Sequence, residues 1–261
     1  YHSGVGFDVG GDYTHYTSDN NQTLLADYAD GGQSSFSIIG GQKIDRYSIY
    51  ADRKRHLAKE WNLGYGISYR FAKDRDFQTY DKVTGDIPTE NTDSRLREQT
   101  ANFYVSLSRN YATGTSVSVS ATGEYYTIGG YRKWAVYPQA SLTYVKSPKH
   151  LFQLSLSTDK TYPGYWDMQS SVSHLNGYTE LWGTPGLKPS TTYNLNGNYI
   201  WKQKYIFGLF FMHTSDFFVQ TGYQSTDRLA LIYKNTNWNY MQMWGANIIL
   251  PFKAGNWLDS R

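Results

Sequence analysis

The chain has 261 residues and contains no cysteine, which excludes disulfide bonds, zinc–thiolate sites and a thiol nucleophile. Its 25 Lys and Arg nearly balance its 22 Asp and Glu, and the net charge of +3 gives no support for a nucleic-acid partner. Aromatic residues make up 17% of the chain although its mean hydropathy is only -0.60, which is unusual for a soluble core and typical of a transmembrane β-barrel.

Apolar and polar residues alternate in ten segments, as expected for strands with one apolar and one polar face. The clearest runs from Trp61 to Phe71, where the odd-numbered residues are apolar or aromatic. Most segments reach the roughly 9–11 residues of a tilted membrane strand, whereas soluble strands average about five or six. In chain order the predicted strands are Val5–Tyr13, Ile44–Asp52, Trp61–Phe71, Ala101–Ser108, Ser116–Thr122, Val136–Lys146, Phe152–Ser157, Tyr193–Trp201, Tyr205–Val219 and Trp244–Phe252.

Short and longer connections alternate between these strands. The short ones are Arg53–Lys59, Asn110–Gly114, Lys146–His150 and Lys202–Lys204. The longer ones are Ser18–Lys43, Lys73–Arg97, Gly129–Lys133, Thr161–Ser190 and Gln220–Arg228. Outer-membrane barrels have short periplasmic turns and longer extracellular loops. The sequence therefore predicts an all-β fold, a single antiparallel transmembrane β-barrel segment over residues 1–261, with up-and-down hairpins and outer-membrane lipid against its apolar faces.

Helical membrane spans are excluded, because the longest apolar run, Tyr205 to Met212, is far shorter than the roughly 18 residues that a helix needs. The first residues, Tyr1 to Gly4, have neither the basic nor the apolar region of a signal peptide. We therefore expect the start of the chain to be processed or truncated.

The connection Thr161–Ser190 contains the candidate ligand-binding residues. Aromatic side chains on an extracellular loop can stack on a sugar or hold an aromatic ligand. Alternatively, they pack the loop on itself or lie in the outer aromatic girdle. The five candidates are Tyr162, Tyr165, Trp166, Tyr178 and Trp182.

No grouping predicts an enzyme, a metal site or a cofactor. The sequence has no nucleophile elbow or Ser/His/Asp arrangement, and its six His show no ligand-like spacing. One connection is rich in acidic residues, but their spacing is not that of a calcium loop, and we interpret them as solvated loop charge. These residues are Asp74, Asp76, Asp81 and Asp86.

Four motifs occur in the order found in a known family. They are an aromatic-Pro-x-x-x-Leu-x-Tyr strand, a Pro-x-Tyr-Trp-like element, a Gly-x-Pro-x-Leu-x-Pro element, and an Asn followed later by a Gly-containing strand. Their residues are Tyr137–Tyr144, Tyr162–Trp166, Gly183–Pro189, Asn235 and Gly245–Asn247. The chain thereby resembles the barrel domain of TonB-dependent outer-membrane receptors, in particular the outer membrane protein beta-barrel family. It departs where that family usually has Arg, Asn, Glu and Glu, at Tyr162, Thr184, Ser190 and Asn247.

This resemblance implies a 22-stranded barrel that imports a small ligand past an N-terminal plug domain with energy from the TonB system. The ligand classes left open are siderophore, glycan, cobalamin-like cofactor and peptide. The chain contains no plug-like stretch, and its last residues, Trp257–Arg261, lack the terminal aromatic of such barrels. We therefore expect about half of a larger barrel.

Two other functions remain open from the sequence. A complete ten-stranded barrel would act as a pore, an adhesin or a lipid-modifying enzyme, and its first and tenth strands would pair. A soluble carbohydrate-binding β-protein would also show alternating strands, but it would stay dispersed without detergent.

Overall fold

The computed structural model describes residues 6–29, 31–85, 90–255 and 258–260. Ten strands form one antiparallel sheet in the order β1-β2-β3-β4-β5-β6-β7-β10-β11-β14, and a four-stranded sheet has the order β12-β13-β9-β8. The strands are β1 Asp8–Asp27, β2 Gln33–His56, β3 Trp61–Thr84, β4 Thr92–Asn110, β5 Ser116–Ile128, β6 Tyr131–Ser147, β7 His150–Thr161, β8 Val172–Asn176, β9 Thr179–Trp182, β10 Ser190–Trp201, β11 Tyr205–Ser215, β12 Phe218–Gln224, β13 Leu231–Asn237, β14 Tyr240–Ile249, β15 Phe252–Ala254 and β16 Leu258–Ser260.

All ten predicted strands of the large sheet are present, and each pairs with its predicted hairpin neighbour. Val5, where the first prediction began, lies outside the described residues. The segments Ser18–Lys43 and Lys73–Arg97 were wrongly predicted as long loops, because β2 and β3 each continue for 24 residues. Register between β1 and β2 runs without a break to Asp27 opposite Gln33. In these upper parts the outer face no longer needs to be apolar, so alternation disappears from the sequence while backbone pairing continues.

Two strand ends also differ from the prediction. The segment Tyr205–Val219 is not one strand, because Asp216 has a left-handed φ of 51° and interrupts it after Ser215. The predicted link Gln220–Arg228 is instead part of a β12–β13 hairpin. The last strand, predicted to reach Phe252, ends at Ile249, shortly before Pro251, which has no backbone N–H to donate.

The two faces of the large sheet differ in chemistry. On the outer face, Ile67, Phe103 and Leu209 are 58%, 56% and 69% exposed. This apolar surface matches a lipid-facing wall. On the opposite, inner face, the connections at the long-loop end cover residues such as Ala72 and Gln78, which are buried. Because successive side chains of a strand point to opposite faces, alternate residues face the lipid and the lumen.

The large sheet is open. Within the described ranges, β1 pairs only with β2 and β14 only with β11. The described residues therefore do not form the closed ten-stranded barrel, which the sequence left as an alternative. No helix in the described part is both long and apolar enough to cross a membrane.

Candidate functional site

Residues 162–189, here called the mouth loop, connect β7 to β10 and fold onto the inner face of the sheet. Met168 and Leu187 from this loop are 3% and 1% exposed. They pack with Tyr126 and Ile128 from β5 in one apolar cluster. Burial of these side chains holds the loop across the lumen at the long-loop end.

A buried carboxylate on β5 anchors the first residues after β7. Glu124 accepts hydrogen bonds from the hydroxyl of Tyr137, at 3.2 Å, and from the side chains of Lys160 and Tyr162. The Lys160 ammonium also lies 4.2 Å from the ring centroid of Tyr126. A buried ion pair needs such additional partners to offset its desolvation.

A second carboxylate, Glu98 on β4, anchors the next part of the mouth loop. It accepts a hydrogen bond from the Tyr165 hydroxyl and lies 3.9 Å from the Arg70 guanidinium. Arg70 in turn stacks 5.4 Å from the ring centroid of Tyr162. Burial, together with hydrogen bonds to the two glutamates, raises the pKa of Tyr162 and of Tyr165, so both hydroxyls stay protonated as donors.

The far side of the mouth loop contacts the wall formed by β1, β2 and β3. Gln78 donates from Nε2 to the carbonyl of Val172 at 2.8 Å. The Tyr80 hydroxyl lies 3.1 Å from His174 Nε2, and the His174 ring packs 4.7 Å from that of Phe36. Burial lowers the pKa of His174. The loop therefore bridges the lumen from β7 to β3.

Glu180 on β9 joins the mouth loop to the next long connection. Arg228 pairs with both of its carboxylate oxygens, and Trp182 Nε1 donates to Oε2 at 2.8 Å. Burial alone would raise the pKa of Glu180, but the hydrogen bonds from Arg228 and Trp182 hold it below its usual value. The bidentate geometry makes this a specific contact between the two loops.

Residues 216–239, here called the hairpin loop, make further contacts with the mouth loop. β13 pairs in parallel with β9. Thr184 Oγ1 donates to the Asn235 carbonyl at 2.6 Å, and the Asn235 amide donates to Asp167 Oδ1 at 2.8 Å. The two loops thus form one layer.

Asp74 and Asp76 lie on the inner face of β3 and are 3% and 4% exposed. Their interpretation as solvated loop charge was wrong, because β3 extends past the bilayer and its even-numbered side chains point under the mouth loop. Gln42 donates to Asp74 Oδ1 at 2.9 Å, whereas Asp74 Oδ2 and Asp76 Oδ1 accept no hydrogen bond from a described residue. Burial raises the pKa of each carboxyl to about 6. Asp81 is exposed as predicted, and Asp86 lies outside the described residues.

Trp166 lies at the centre of the candidate site and is 41% exposed. It lines a cavity of about 100 Å³ with Asp76 and Gln78, and a smaller one of about 40 Å³ with Trp182 and Asn235. The structure therefore brings together two of the five predicted aromatic residues around polar groups.

The other three predicted residues lie elsewhere. The hydroxyls of Tyr162 and Tyr165 are bound to the anchoring glutamates. Tyr178 is exposed at the β8–β9 turn and packs edge-on against Tyr28, with ring centroids 5.8 Å apart.

A sequence model described as the outer membrane protein beta-barrel family matches residues 3–261. The chain belongs to this family. The resemblance predicted from the motifs is thereby confirmed, and the apolar outer face lies in the bacterial outer membrane. No curated protein sequence matches the chain significantly.

Solved structures of outer-membrane receptors share the fold of this family member. The siderophore receptor PirA from Pseudomonas aeruginosa has a TM-score of 0.55 at 11% identity, over 91% of this chain and 47% of PirA. The ferripyoverdine receptor from the same organism has a TM-score of 0.53 at 15% identity, over 93% and 36%. The hemophore receptor HasR from Serratia marcescens has a TM-score of 0.53 at 8% identity, over 95% and 47%. The chain spans less than half the length of these proteins.

The motif residues of this beta-barrel family member are positioned to hold the loops together. A Cβ on Gly183 would lie 2.1 Å from the Gln169 carbonyl oxygen, so only glycine permits this backbone approach. Leu187 belongs to the buried cluster. Lys160 supplies the cation beside Glu124, and Tyr162 donates a hydrogen bond to the same carboxylate.

Sequence reasoning missed the polar inner-face residues of the site. Glu98, Glu124, Asp76 and Gln78 lie on β3, β4 and β5 beyond the ends of the strands predicted from the sequence, and Asp76 and Gln78 fell in a predicted loop. The available signal was charge on that face, which otherwise favours Ser, Asn, Thr and Gly. A carboxylate placed there under a loop requires a partner.

Proposed function

We propose that the chain forms about half of the barrel of a TonB-dependent uptake receptor, in which a plug domain fills the lumen and a small ligand binds at the extracellular mouth. The main support is the mouth loop itself. Buried contacts with Glu98 and Glu124 fix it across the lumen, and they leave Trp166 exposed beside Asp76. This arrangement gives a rigid polar and aromatic surface where a ligand would enter.

The ligand class that we favour is a siderophore. The neighbouring folds include a siderophore receptor and a ferric enterobactin receptor in complex with enterobactin. In this chain the Trp166 ring offers a stacking face, and Asp76 and Gln78 offer hydrogen-bonding groups beside it. Glycans, cobalamin-like cofactors and peptides are the classes to compare in the same assay.

Two alternative functions receive less support. A passive pore needs an open lumen, whereas the mouth loop packs across this one. A soluble carbohydrate-binding protein would not expose a continuous apolar face such as that around Phe103 and Leu209.

The test is energised uptake by cells that express the full-length protein. Radiolabelled ferric siderophores, heme, cobalamin, oligosaccharides and peptides are offered with and without an uncoupler of the proton gradient. We expect one ligand class to bind in both conditions and to accumulate only in energised cells. Accumulation that is insensitive to the uncoupler would indicate a pore, and binding without any accumulation would indicate an adhesin.

A further inference from the structure

A groove of about 550 Å³ lies on the outer, lipid-facing side of the sheet. It runs from β6 over β7, β10, β11 and β14. Most of its lining is apolar or aromatic, including Leu142, Phe152, Leu154, Tyr199, Phe207 and Leu209, and Gln153, Asn198 and Asn247 also line it. This depression lies in the lower half of the wall, close to the short turns.

The groove exists because small residues lie at its centre. Gly197 pairs with Leu154 and Leu209, and Ala246 pairs with Leu209 on the other side. A Cβ built on Gly197 would meet only Leu154 Cδ1, at 3.9 Å. The backbone there has ordinary strand geometry, so glycine is not required by conformation. The missing side chain leaves an apolar slot between Leu154 and Leu209.

Three exposed lysines lie at the foot of this groove. The Lys202 N–H donates to the Lys149 carbonyl at 2.7 Å, which holds two neighbouring short turns together. The Lys202 ammonium lies 4.5 Å from the Trp201 ring centroid, and that of Lys204 lies 5.5 Å from the Tyr205 ring centroid. Both rings project to the outer face, directly below the groove.

The charge at this position has no local counterion from the same turns. The segments Ser147–His150 and Trp201–Tyr205 contain no acidic residue. Ammonium groups set on aromatic rings at a membrane interface attract anionic lipid headgroups. The short turns of an outer-membrane barrel face the periplasm, so the lipid is one from the periplasmic leaflet.

We propose that this groove binds one anionic glycerophospholipid, with an acyl chain over Gly197 and the phosphate between Lys149, Lys202 and Lys204. The apolar slot fixes the chain, and the lysines select for negative charge. This site is independent of the proposed uptake function, since it lies on the opposite face of the sheet from the mouth loop.

Native mass spectrometry of the full-length protein, reconstituted with equal amounts of phosphatidylglycerol and phosphatidylethanolamine of matched chains, tests the headgroup. We expect preferential retention of phosphatidylglycerol, reduced at least fivefold in Lys202→Gln with Lys204→Gln. The matched control is Arg53→Gln with Lys54→Gln, a pair at the short-turn end of β2, which should change retention less than twofold. Equal retention of the two lipids, or equal loss in both double variants, overturns the proposal.

Filling the groove tests the acyl chain. Gly197→Phe should lower phosphatidylglycerol retention at least fivefold, whereas Ala121→Phe, on the outer face of β5, should not. Millimolar glycerol phosphate should fail to displace the lipid, because it lacks the acyl chain. Displacement by glycerol phosphate, or unchanged retention in a Gly197→Phe protein that keeps its folded electrophoretic mobility, overturns the proposal.

Discussion

The side-chain amide of Asn235 donates to Asp167 Oδ1 at 2.8 Å and thereby joins the mouth loop to the hairpin loop, 68 residues away in sequence. The same segment accepts a hydrogen bond from Thr184 Oγ1. Together with the Arg228–Glu180 pair, these contacts couple the loops at two separated points. Motion of one loop therefore requires motion of the other.

Asn235→Ala should loosen this coupling. Asp167 would lose a half-buried partner, which costs about 1–2 kcal/mol when no replacement donor is present. Hydrogen–deuterium exchange of the mouth loop should become several-fold faster, while exchange of β3 and β10 stays unchanged. Asn239→Ala, at an exposed site next to β14, is the matched control. Equal exchange in wild type and Asn235→Ala would show that the loops are held by other contacts.

Glu124→Gln should destabilise the anchored start of the mouth loop. The substitution keeps the size of the side chain but leaves the buried Lys160 ammonium without its counterion, which costs roughly 3–5 kcal/mol. The expected result is a lower midpoint of denaturant unfolding in detergent and faster chymotryptic cleavage within the mouth loop.

One further variant separates the effect of charge from that of packing at Glu124, and a second variant, at an exposed ion pair, is the control. Adding Lys160→Met to Glu124→Gln removes the unpaired charge and should restore much of the lost stability. Lys133→Gln breaks an exposed pair with Asp216, 3.7 Å long, and should cost less than about 1 kcal/mol. A Lys133→Gln effect as large as that of Glu124→Gln would contradict this account.

The strands were predictable because the bilayer imposes a repeated pattern on them. In β3, the run from Trp61 to Phe71 alternates because one face meets lipid and the other the lumen. The upper part, including Asp74 and Gln78, lies beyond the lipid, and its alternation gives way to polar residues on both faces. Backbone pairing there depends on the neighbouring strands and leaves no periodic signal in a single sequence.

The candidate site was predictable only in part, for a similar physical reason. Aromatic residues clustered in one connection indicated the mouth loop, and Trp166 and Trp182 do lie together there. Which aromatic residues anchor the loop and which line the cavities depends on partners distant in sequence. For example, Tyr162 donates a hydrogen bond to Glu124, which is 38 residues away. A single sequence does not record such pairings.

The buried carboxyls predict a pH dependence of mouth-loop closure. The pKa of Asp74 and Asp76 is raised to about 6 by burial, so the closed state binds more protons than the open state between about pH 4 and pH 6. Stability therefore falls as pH rises through this window, by on the order of 2 kcal/mol per carboxyl, and is constant above it. Hydrogen exchange of the mouth loop at pH 4 to 7.5, corrected for intrinsic rates, measures this slope.

Asp74→Asn with Asp76→Asn should flatten that slope and slow exchange at neutral pH. Glu180, with its lowered pKa, contributes in the opposite direction, since its stabilisation is lost as pH falls. Glu180 is present in both the wild type and the double variant, so its contribution cancels when their slopes are subtracted. Asp81→Asn, at an exposed position of the same strand, is the control. An unchanged slope in the double variant would exclude these carboxyls as its source.

Trp166→Ala should weaken ligand binding at the mouth by roughly tenfold, because it removes the exposed stacking face while leaving the anchors at Glu98 and Glu124 intact. Binding of the ligand identified by uptake is measured on purified protein by fluorescence quenching or calorimetry. Tyr178→Ala removes another exposed aromatic that lines neither small cavity around Trp166, and its affinity should change less than twofold. Matching losses in both variants would place the site elsewhere on the loops.

Gly183→Ala should disrupt the mouth loop more than a second glycine substitution in the same loop. The new methyl group would lie 2.1 Å from the Gln169 carbonyl oxygen, and 2.8 Å and 3.0 Å from its backbone carbon and nitrogen, so the backbone must separate there. Gly186 has a φ of 85° and open space around it, so Gly186→Ala adds only conformational strain of about 1 kcal/mol. Chymotryptic cleavage within the mouth loop reports loop opening, since Lys188 precedes Pro189 and is resistant to trypsin. We expect rapid cleavage in Gly183→Ala and near-normal resistance in Gly186→Ala. The reverse order would show that the left-handed backbone conformation at Gly186 matters more for loop closure than the close approach of Gly183 to Gln169.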